Sequence, residues 1–394
     1  MEATQTNFIV SARKYRPATF DTVVGQTHIT DTLKNAIKNN QLAQAFLFCG
    51  PRGVGKTTCA RILAKTVNCL NLTPEFEACG ECHACQSFQK NASLNVYELD
   101  AASNNSVDDI RNLVEQVRFA PAQGSRKVYI IDEVHMLSTA AFNAFLKTLE
   151  EPPPYAIFIL ATTEKHKIIP TILSRCQIFD FKRIEAADIS GHLAKIATKE
   201  GIQTDKEALD LIARKADGGL RDALSMFDRL STFSPDRSIR YAAVLENLNI
   251  LDFDYYFQMT EALLSENLSD ALLLFDQILR KGFDGQIFIS GLAEHLRNLM
   301  VCKDPRTLQQ LLDVGETVRP KYQSQAAKAA TGFLLTALNL ASQCDLEYKN
   351  SKNPRLLVEL CLMKIAHIPA ALQLAQGEAA LPAEKKSLNP TNHP

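Results

Sequence analysis

The segment 50–57 constrains the fold of this 394-residue chain more than any other, because it has the pattern Gly-x-x-x-x-Gly-Lys-Thr. Glycines let backbone amides wrap around phosphate groups without side-chain clashes, the lysine neutralises phosphate charge, and the threonine hydroxyl binds Mg²⁺. An apolar run over 45–49 precedes the loop and a helical pattern over 56–68 follows it, as a phosphate-binding loop requires. The pattern predicts a nucleotide site formed by Gly50, Arg52, Gly53, Val54, Gly55, Lys56, Thr57 and Thr58.

Three further short apolar runs, rich in β-branched residues, follow the loop at 96–100, 128–132 and 156–161. Such runs are typical of parallel strands in a sheet that is covered on both faces. Helix-length segments lie between the runs, for example 108–117. This strand–helix alternation predicts a doubly wound α/β domain over residues 1–181.

Helical spacing replaces the strand signals in the rest of the chain. A small helical domain is predicted over 182–243. Its predicted helices cover 186–200, 206–215 and 220–232. An all-helical domain is predicted over 244–374, and it includes a long Ala/Leu-rich helix at 326–344. The stretch 375–394 has few large apolar residues and three prolines, so we predict a disordered tail there.

An acidic pair, Asp132 and Glu133, ends the third predicted strand. Beside a phosphate-binding loop, Asp132 is expected to bind Mg²⁺ and Glu133 to act as the general base that polarises an attacking water. The alternative is an ordinary acidic pair at a strand end. Thr163, at the end of the fourth strand, is a candidate to contact the γ-phosphate or the water, unless it only caps the strand.

Four cysteines, Cys69, Cys79, Cys82 and Cys85, lie within 17 residues in the spacing Cys-x9-Cys-x2-Cys-x2-Cys. Zinc prefers four thiolates in a tetrahedron, and closely spaced pairs place several ligands on one turn. Because four protein ligands leave no open coordination position, the predicted site is structural. An iron–sulfur cluster uses similar spacing and is the alternative metal centre, and free cysteines are the other alternative.

Composition excludes several classes of protein. A net charge of −1 argues against bulk attraction to nucleic acid or to an anionic membrane, although a near-zero sum is compatible with a local basic patch. No segment approaches the ~18 consecutive apolar residues that a membrane span needs, and the first residues do not resemble a signal peptide. Ten cysteines without a signal peptide do not indicate a disulfide framework. We therefore expect a cytoplasmic protein that has no membrane partner.

Several motifs between about residues 10 and 235 together resemble one known family. They are 13–17 (Arg-Lys-Tyr-Arg-Pro), 20–21 (Phe-Asp), 23–26 (Val-Val-Gly-Gln), the phosphate loop, the four cysteines, 132–137 (Asp-Glu-Val-His-Met-Leu), 174–176 (Ser-Arg-Cys) and 219–225 (Gly-Leu-Arg-Asp-Ala-Leu-Ser). With these motifs the chain resembles the gamma/tau family of bacterial DNA polymerase III, which are AAA+ ATPases of the sliding-clamp loader. The resemblance implies a RecA-like core carrying a zinc module at about 69–85, then a helical lid and an oligomerisation collar.

The resemblance also implies roles for residues that no spacing argument singles out. Arg13, Tyr15 and Val24 match the segment that lines the adenine pocket in the family. Arg175 matches the arginine finger, which reaches a neighbouring subunit's site and stabilises charge on the phosphoryl group. Arg221 matches the second sensor, which touches the γ-phosphate from the lid of the same chain.

The implied function is that of an ATP-hydrolysing motor with ATP, Mg²⁺ and Zn²⁺ as its cofactors. Such a subunit opens the sliding clamp and loads it onto primer-template DNA, in a hetero-oligomer with other clamp-loader subunits that is expected to be a pentamer. One alternative is another AAA+ DNA motor, such as a branch-migration helicase, which would lack the cysteines and the Ser-Arg-Cys motif. The other is a non-hydrolysing scaffold subunit of the loader, in which the phosphate loop would be degraded.

Overall fold

The computed structural model describes residues 10–121, 126–234, 236–248, 250–311 and 318–372, and the predicted tail at 375–394 lies outside them. The chain divides into two compact units, Met1–Val244 and Leu245–Pro394. Among the described residues, no helix has both the length and the apolar character needed to cross a bilayer.

A five-stranded sheet forms the centre of the first unit. Its strands are β1 (Ala45–Cys49), β2 (Val96–Asp100), β3 (Lys127–Asp132), β4 (Ala156–Thr162) and β5 (Gln177–Asp180). All neighbours are parallel, in the order β2-β3-β4-β1-β5. Every residue of β1 and β4 is buried, as expected for strands that are covered on both faces. The predicted α/β class is confirmed, although the sequence reasoning did not find β5.

Helices cover both faces of this sheet. They are α2 (Thr27–Lys38), α3 (Lys56–Val67), α4 (His83–Gln89), α5 (Val107–Val117), α6 (Thr139–Glu150) and α7 (Pro170–Leu173). A short helix, α1 (Ser11–Lys14), precedes them in the chain. Short 3₁₀ turns occur at Phe20–Thr22, Val134–Met136 and Lys165–Lys167. Alternate residues of β1 face opposite sides, so that Leu47 packs in a core with α5 and α6 while Phe46 and Phe48 pack in a core with α2 and α3.

A small helical bundle follows the sheet within the first unit. Its helices are α8 (Ala186–Glu200), α9 (Lys206–Lys215) and α10 (Leu220–Phe233). Two short parallel strands, β6 (Gln203–Thr204) and β7 (Ser238–Ile239), accompany them, and α11 (Tyr241–Asn247) follows. The helices are those predicted, and the two-residue strands were too short for the sequence pattern to indicate.

The second unit is helical throughout its described residues, which confirms the prediction for its fold class. Its helices are α12 (Phe253–Leu264), α13 (Leu268–Arg280), α14 (Gly285–Val301), α15 (Pro305–Leu311), α16 (Arg319–Lys328), α17 (Thr331–Tyr348) and α18 (Pro354–Ala366). One apolar core joins α12, α13, α14, α16, α17 and α18. Polar side chains also meet in this core. His295 Nδ1 lies 3.0 Å from the Tyr322 hydroxyl and its Nε2 lies 3.0 Å from Gln325 Oε1.

The single helix predicted at 326–344 was wrong. The chain forms two helices there, because Ala329 and Ala330 adopt extended backbone conformations between α16 and α17. Neither alanine is a stop signal in the sequence, so tertiary packing decides the break. Ala329 is buried, and the Lys303 ammonium donates to its carbonyl, which a continuous helix would have satisfied internally.

Two glycines in helices allow a matched test of packing. A Cβ at Gly291 in α14 would clash with the Tyr256 hydroxyl, whereas a Cβ at Gly191 in α8 meets nothing within 4 Å. Gly291→Ala should lower the free energy of unfolding by about 1–3 kcal/mol through overpacking. Gly191→Ala should raise it by up to about 1 kcal/mol through helix propensity. Amide hydrogen exchange in each helix measures both effects, and equal changes would contradict the packing argument.

Candidate nucleotide and metal sites

The phosphate-binding loop connects β1 to α3, and its backbone adopts conformations that favour glycine. Gly53 and Gly55 have φ of +78° and +106°, in the region that other residues rarely adopt. A Cβ at Gly55 would meet nothing within 4 Å, so its backbone conformation, rather than lack of space, explains this glycine. Gly55 precedes the first helical residue, Lys56, and the amides at the start of α3 therefore face the loop.

Lys56 turns back over the loop that it follows. Its ammonium donates to the carbonyls of Gly50 and Pro51, both at 2.7 Å. Burial lowers the pKa of Lys56, and the nearby carboxylates Glu133 and Asp132 oppose that shift. A buried cation beside a loop of backbone amides is a favourable environment for a phosphate group.

Thr57 and Asp132 come together from different elements. The Thr57 hydroxyl, in the first turn of α3, donates to Asp132 Oδ2 at 2.7 Å, and Asp132 is the last residue of β3. Asp132 Oδ1 accepts from the backbone N–H of Glu133 at 3.0 Å. A hydroxyl and a carboxylate beside a phosphate loop form the donor set expected for Mg²⁺, so these residues fit that ion.

Glu133 adopts a left-handed backbone with φ +48°, which is costly for a residue with a side chain and occurs often at functional sites. Its Oε2 accepts from the backbone N–H of Thr163 at 3.3 Å and from the Thr163 hydroxyl at 3.1 Å. The imidazole of His135 lies beside it, with Nδ1 3.4 Å from Glu133 Oε2 and Nε2 3.0 Å from Glu164 Oε2. Two hydrogen bonds therefore join the two predicted residues, Glu133 and Thr163, whereas the sequence reasoning gave His135 no role in the site.

These groups line one cavity of about 650 Å³. From the predicted set, the cavity is lined by Tyr15, Val24, Arg52, Gly53, Val54, Gly55, Lys56, Thr57, Thr58, Asp132, Glu133, Thr163 and Arg221. Within 10–121 and 126–234, no carboxylate lies within ion-pair distance of the Arg52 or Arg221 guanidinium. Cations that line a cavity without a carboxylate partner make it suitable for an anion.

Three predicted residues lie elsewhere. Gly50 is at the start of the loop, and Arg13 is on α1, but neither residue lines the cavity. Arg175 also lies outside the cavity, where its guanidinium binds Glu150 Oε1 at 2.6 Å and the Thr171 carbonyl at 2.7 Å. The chain does not use Arg175 in its own cavity.

The cavity also has residues that the sequence reasoning missed. They are Ala12, Arg16, Pro17, Val23, Asp100, Ala102, His135, Met136, Ile184, Leu220 and Leu224. Asp100 ends β2, directly beside Asp132 in the register of β2 and β3, and strand alignment could have indicated it. The apolar members come from distant parts of the chain, and although several lie in the motifs quoted above, no argument from spacing assigned them to the cavity.

The four cysteines form a compact cluster between α3 and β2. Their Sγ atoms all lie within 4.8 Å of one another, with 3.5 Å between Cys69 and Cys79. A tetrahedral zinc site with Zn–S bonds of about 2.3 Å places sulfurs about 3.8 Å apart, so the cluster fits zinc. The Cys82 backbone N–H donates to Cys79 Sγ at 3.3 Å and lowers the pKa of that thiol, which favours the thiolate form.

Glu77 attaches this cysteine segment to the rest of the unit. Its buried carboxylate accepts from the backbone N–H groups of Phe20 and Asp21 at 3.1 and 3.2 Å. The Lys34 ammonium lies 3.0 Å from the same group. This carboxylate is satisfied by three donors, and its role became visible only in the structure.

Comparison with protein-family models matches almost the whole described chain. The models are those of the DNA polymerase III delta subunit (residues 25–185), the ATPase lid domain of the DNA polymerase III clamp loader subunit (188–232) and domain III of DNA polymerase III subunits gamma and tau (239–377). The DNA polymerase III subunit tau of Bacillus subtilis is 43% identical over 356 residues, covering 90% of this chain and 62% of the relative. The gamma/tau subunit of Mycobacterium bovis is 37% identical over 376 residues, covering 94% and 64%.

The chain belongs to the gamma/tau family of DNA polymerase III subunits. It spans less than two thirds of the length of these relatives. Among solved structures, the Thermotoga maritima RuvB Holliday junction branch migration motor is similar, with a TM-score of 0.46 and 19% identity over 63% of this chain and 78% of that one. For this gamma/tau-family chain, neither the branch-migration helicase nor the scaffold subunit is favoured by the family models.

Metal content tests the cysteine cluster directly. The purified full-length chain should contain about one zinc per chain, and Cys69→Ser should lose it because three thiolates no longer close the tetrahedron. Cys302→Ser, which removes a thiol outside the cluster, is the control and should keep the metal. Inductively coupled plasma mass spectrometry measures both. Iron in place of zinc, or full zinc retention in Cys69→Ser, would contradict the assignment.

Proposed function

We propose that this chain is the ATP-hydrolysing motor subunit of a DNA polymerase III clamp loader, which opens a sliding clamp and loads it onto primed DNA. The observation that carries the proposal is the cavity in which Lys56, the Thr57–Asp132 pair and the Glu133–Thr163 pair meet. Membership of the gamma/tau family gives that chemistry its biological setting.

Each group in the cavity has a distinct task in the proposed reaction. The loop amides and Lys56 hold the phosphates of ATP, and Arg221 and Arg52 add positive charge from the lid and the loop. Thr57 and Asp132 would hold Mg²⁺, which would supply positive charge beside the phosphates. Glu133 takes the proton of the attacking water, and Thr163 orients the carboxylate of Glu133.

Residues that lie outside the cavity complete the proposal. Arg175, exposed on its own chain, is assigned to a neighbouring subunit's site, where it stabilises charge on the transferring phosphoryl group. Tyr15 and Val24 are assigned to the adenine, and Arg13 supports the same segment. The proposed domains are a core (1–181), a lid (182–243) and a collar (244–374) that holds the loader together.

The proposed partners follow from the family. They are other clamp-loader subunits, the sliding clamp and primer-template DNA, in a pentameric hetero-oligomer. Zinc bound to Cys69, Cys79, Cys82 and Cys85 would fix the fold of the inserted segment without taking part in hydrolysis, because its four ligands leave no open position.

Replacing Lys56 with alanine tests the nucleotide site. Lys56→Ala should abolish ATP hydrolysis by the chain assembled with its loader partners, sliding clamp and primed DNA, because the buried phosphate-binding cation is lost. Lys215→Ala, an exposed substitution on α9, is the matched control and should keep the wild-type rate. Phosphate release measured with and without primed DNA checks both. DNA-stimulated turnover in Lys56→Ala would refute the assignment.

Replacing Arg175 with alanine tests the proposed action between subunits. Arg175→Ala should lower the turnover of the assembled loader about 10³-fold, the scale of known arginine fingers. ATP affinity should stay within twofold, because Arg175 does not line its own cavity. Arg240→Ala removes another exposed arginine from a carboxylate pair and serves as the control. Loss of ATP binding by the isolated Arg175→Ala chain would contradict a role in a neighbouring site.

A further inference from the structure

One face of α10 carries two residues that line the cavity and a third that binds the N-terminal segment. Arg221, Leu224 and Asp228 are three and seven positions apart, so that Arg221 and Asp228 lie almost directly in line along the helix. Arg221 and Leu224 line the cavity, and the Arg221 backbone N–H approaches the Gly53 carbonyl at 3.4 Å. Asp228 lies two turns further along the helix, does not line the cavity and has no role in the proposed hydrolysis.

Asp228 is joined to the N-terminal segment. The backbone N–H of Ser11, the first residue of α1, donates to Asp228 Oδ2 at 2.6 Å, and both residues are buried. A short hydrogen bond to a buried carboxylate is among the stronger polar contacts in proteins. This one closes a separation of 217 residues.

A second carboxylate of the lid holds the same segment. Glu200, the last residue of α8, accepts from the Tyr15 hydroxyl, and the Lys14 ammonium lies 2.5 Å from its Oε1. Within the described residues, the hydrogen bonds that residues 10–16 make outside their own segment all end on Asp228 or Glu200. The segment is therefore attached to the lid rather than to the sheet.

The attached segment is also a wall of the cavity. Ala12, Tyr15, Arg16 and Pro17 line it, as do Val23 and Val24. We infer that Asp228, supported by Glu200, is a positioning residue, and this inference rests on the proposed nucleotide site. Asp228 fixes the cavity wall formed by residues 12–17, which includes Tyr15, to α10, the helix that carries Arg221. The residues that contact the base and the arginine that contacts the γ-phosphate then belong to one rigid unit. A change in the position of the lid therefore moves both sets of contacts together.

Binding of two ligands, ATP and inorganic tripolyphosphate, distinguishes this positioning role from a general effect on stability. Only ATP carries a base. Asp228→Ala should raise the Kd of the full-length chain for ATP about tenfold. It should leave the affinity for inorganic tripolyphosphate within twofold, because the loop that holds phosphates does not contact Asp228. Asp228→Asn keeps an oxygen acceptor for the Ser11 N–H and should stay within threefold of wild type for ATP. Glu207→Ala, an exposed lid carboxylate on α9, is the control and should change neither affinity.

Equilibrium binding with both ligands decides the outcome. Selective loss of ATP binding, with recovery in Asp228→Asn, supports the inference. Equal losses for both ligands, or no change, overturn it. If Asp228→Ala does not fold, the partly exposed Glu200→Ala replaces it, with about a threefold selective loss of ATP binding expected. A wild-type chain that binds neither ligand would refute the proposed function as well, whereas normal wild-type binding with an unchanged Asp228→Ala refutes only this inference.

Discussion

The carboxyl ends of parallel strands lie at the same edge of a sheet, and the candidate site depends on that geometry. The phosphate loop leaves β1 after Cys49, Asp132 ends β3, and Thr163 follows β4. Register brings these ends level, since Cys49 pairs with Thr162 in the β1–β4 ladder. Because the hydrogen bonds of the sheet fix these positions, hydroxyl and carboxylate groups from distant parts of the sequence meet without a flexible loop between them.

Side chains of both charges line this cavity. Asp132 and Glu133 are held by hydroxyl and amide donors, and Lys56 is buried against the loop carbonyls. Arg52 and Arg221 face the cavity without a carboxylate partner among the described residues of the first unit. The lining therefore offers carboxylates for a cation and basic side chains for an anionic ligand. A magnesium nucleotide meets both requirements.

The cysteine segment and the lid use buried carboxylates in the same way. Glu77 fastens the cysteine segment to Phe20 and Asp21 through backbone donors, and Asp228 fastens the lid to Ser11. Both carboxylates accept from backbone N–H groups, so any residue with a free amide would serve as the partner. The side chains of the donor residues therefore carry no signal of either attachment, which explains why sequence reasoning found neither.

Local chemistry let the sequence determine the phosphate loop, the acidic pair, the cysteine spacing and the fold class, because each depends on residue types a few positions apart. The same reasoning missed β5 and predicted one helix where α16 and α17 are separate. Strand β5 and the extended backbone of Ala329 and Ala330 depend on packing against distant residues. Only the tertiary structure showed His135 beside Glu133 and the attachment of residues 10–16 to the lid. Contacts across more than a hundred residues arise when the whole chain buries its apolar surface, and no local pattern records them.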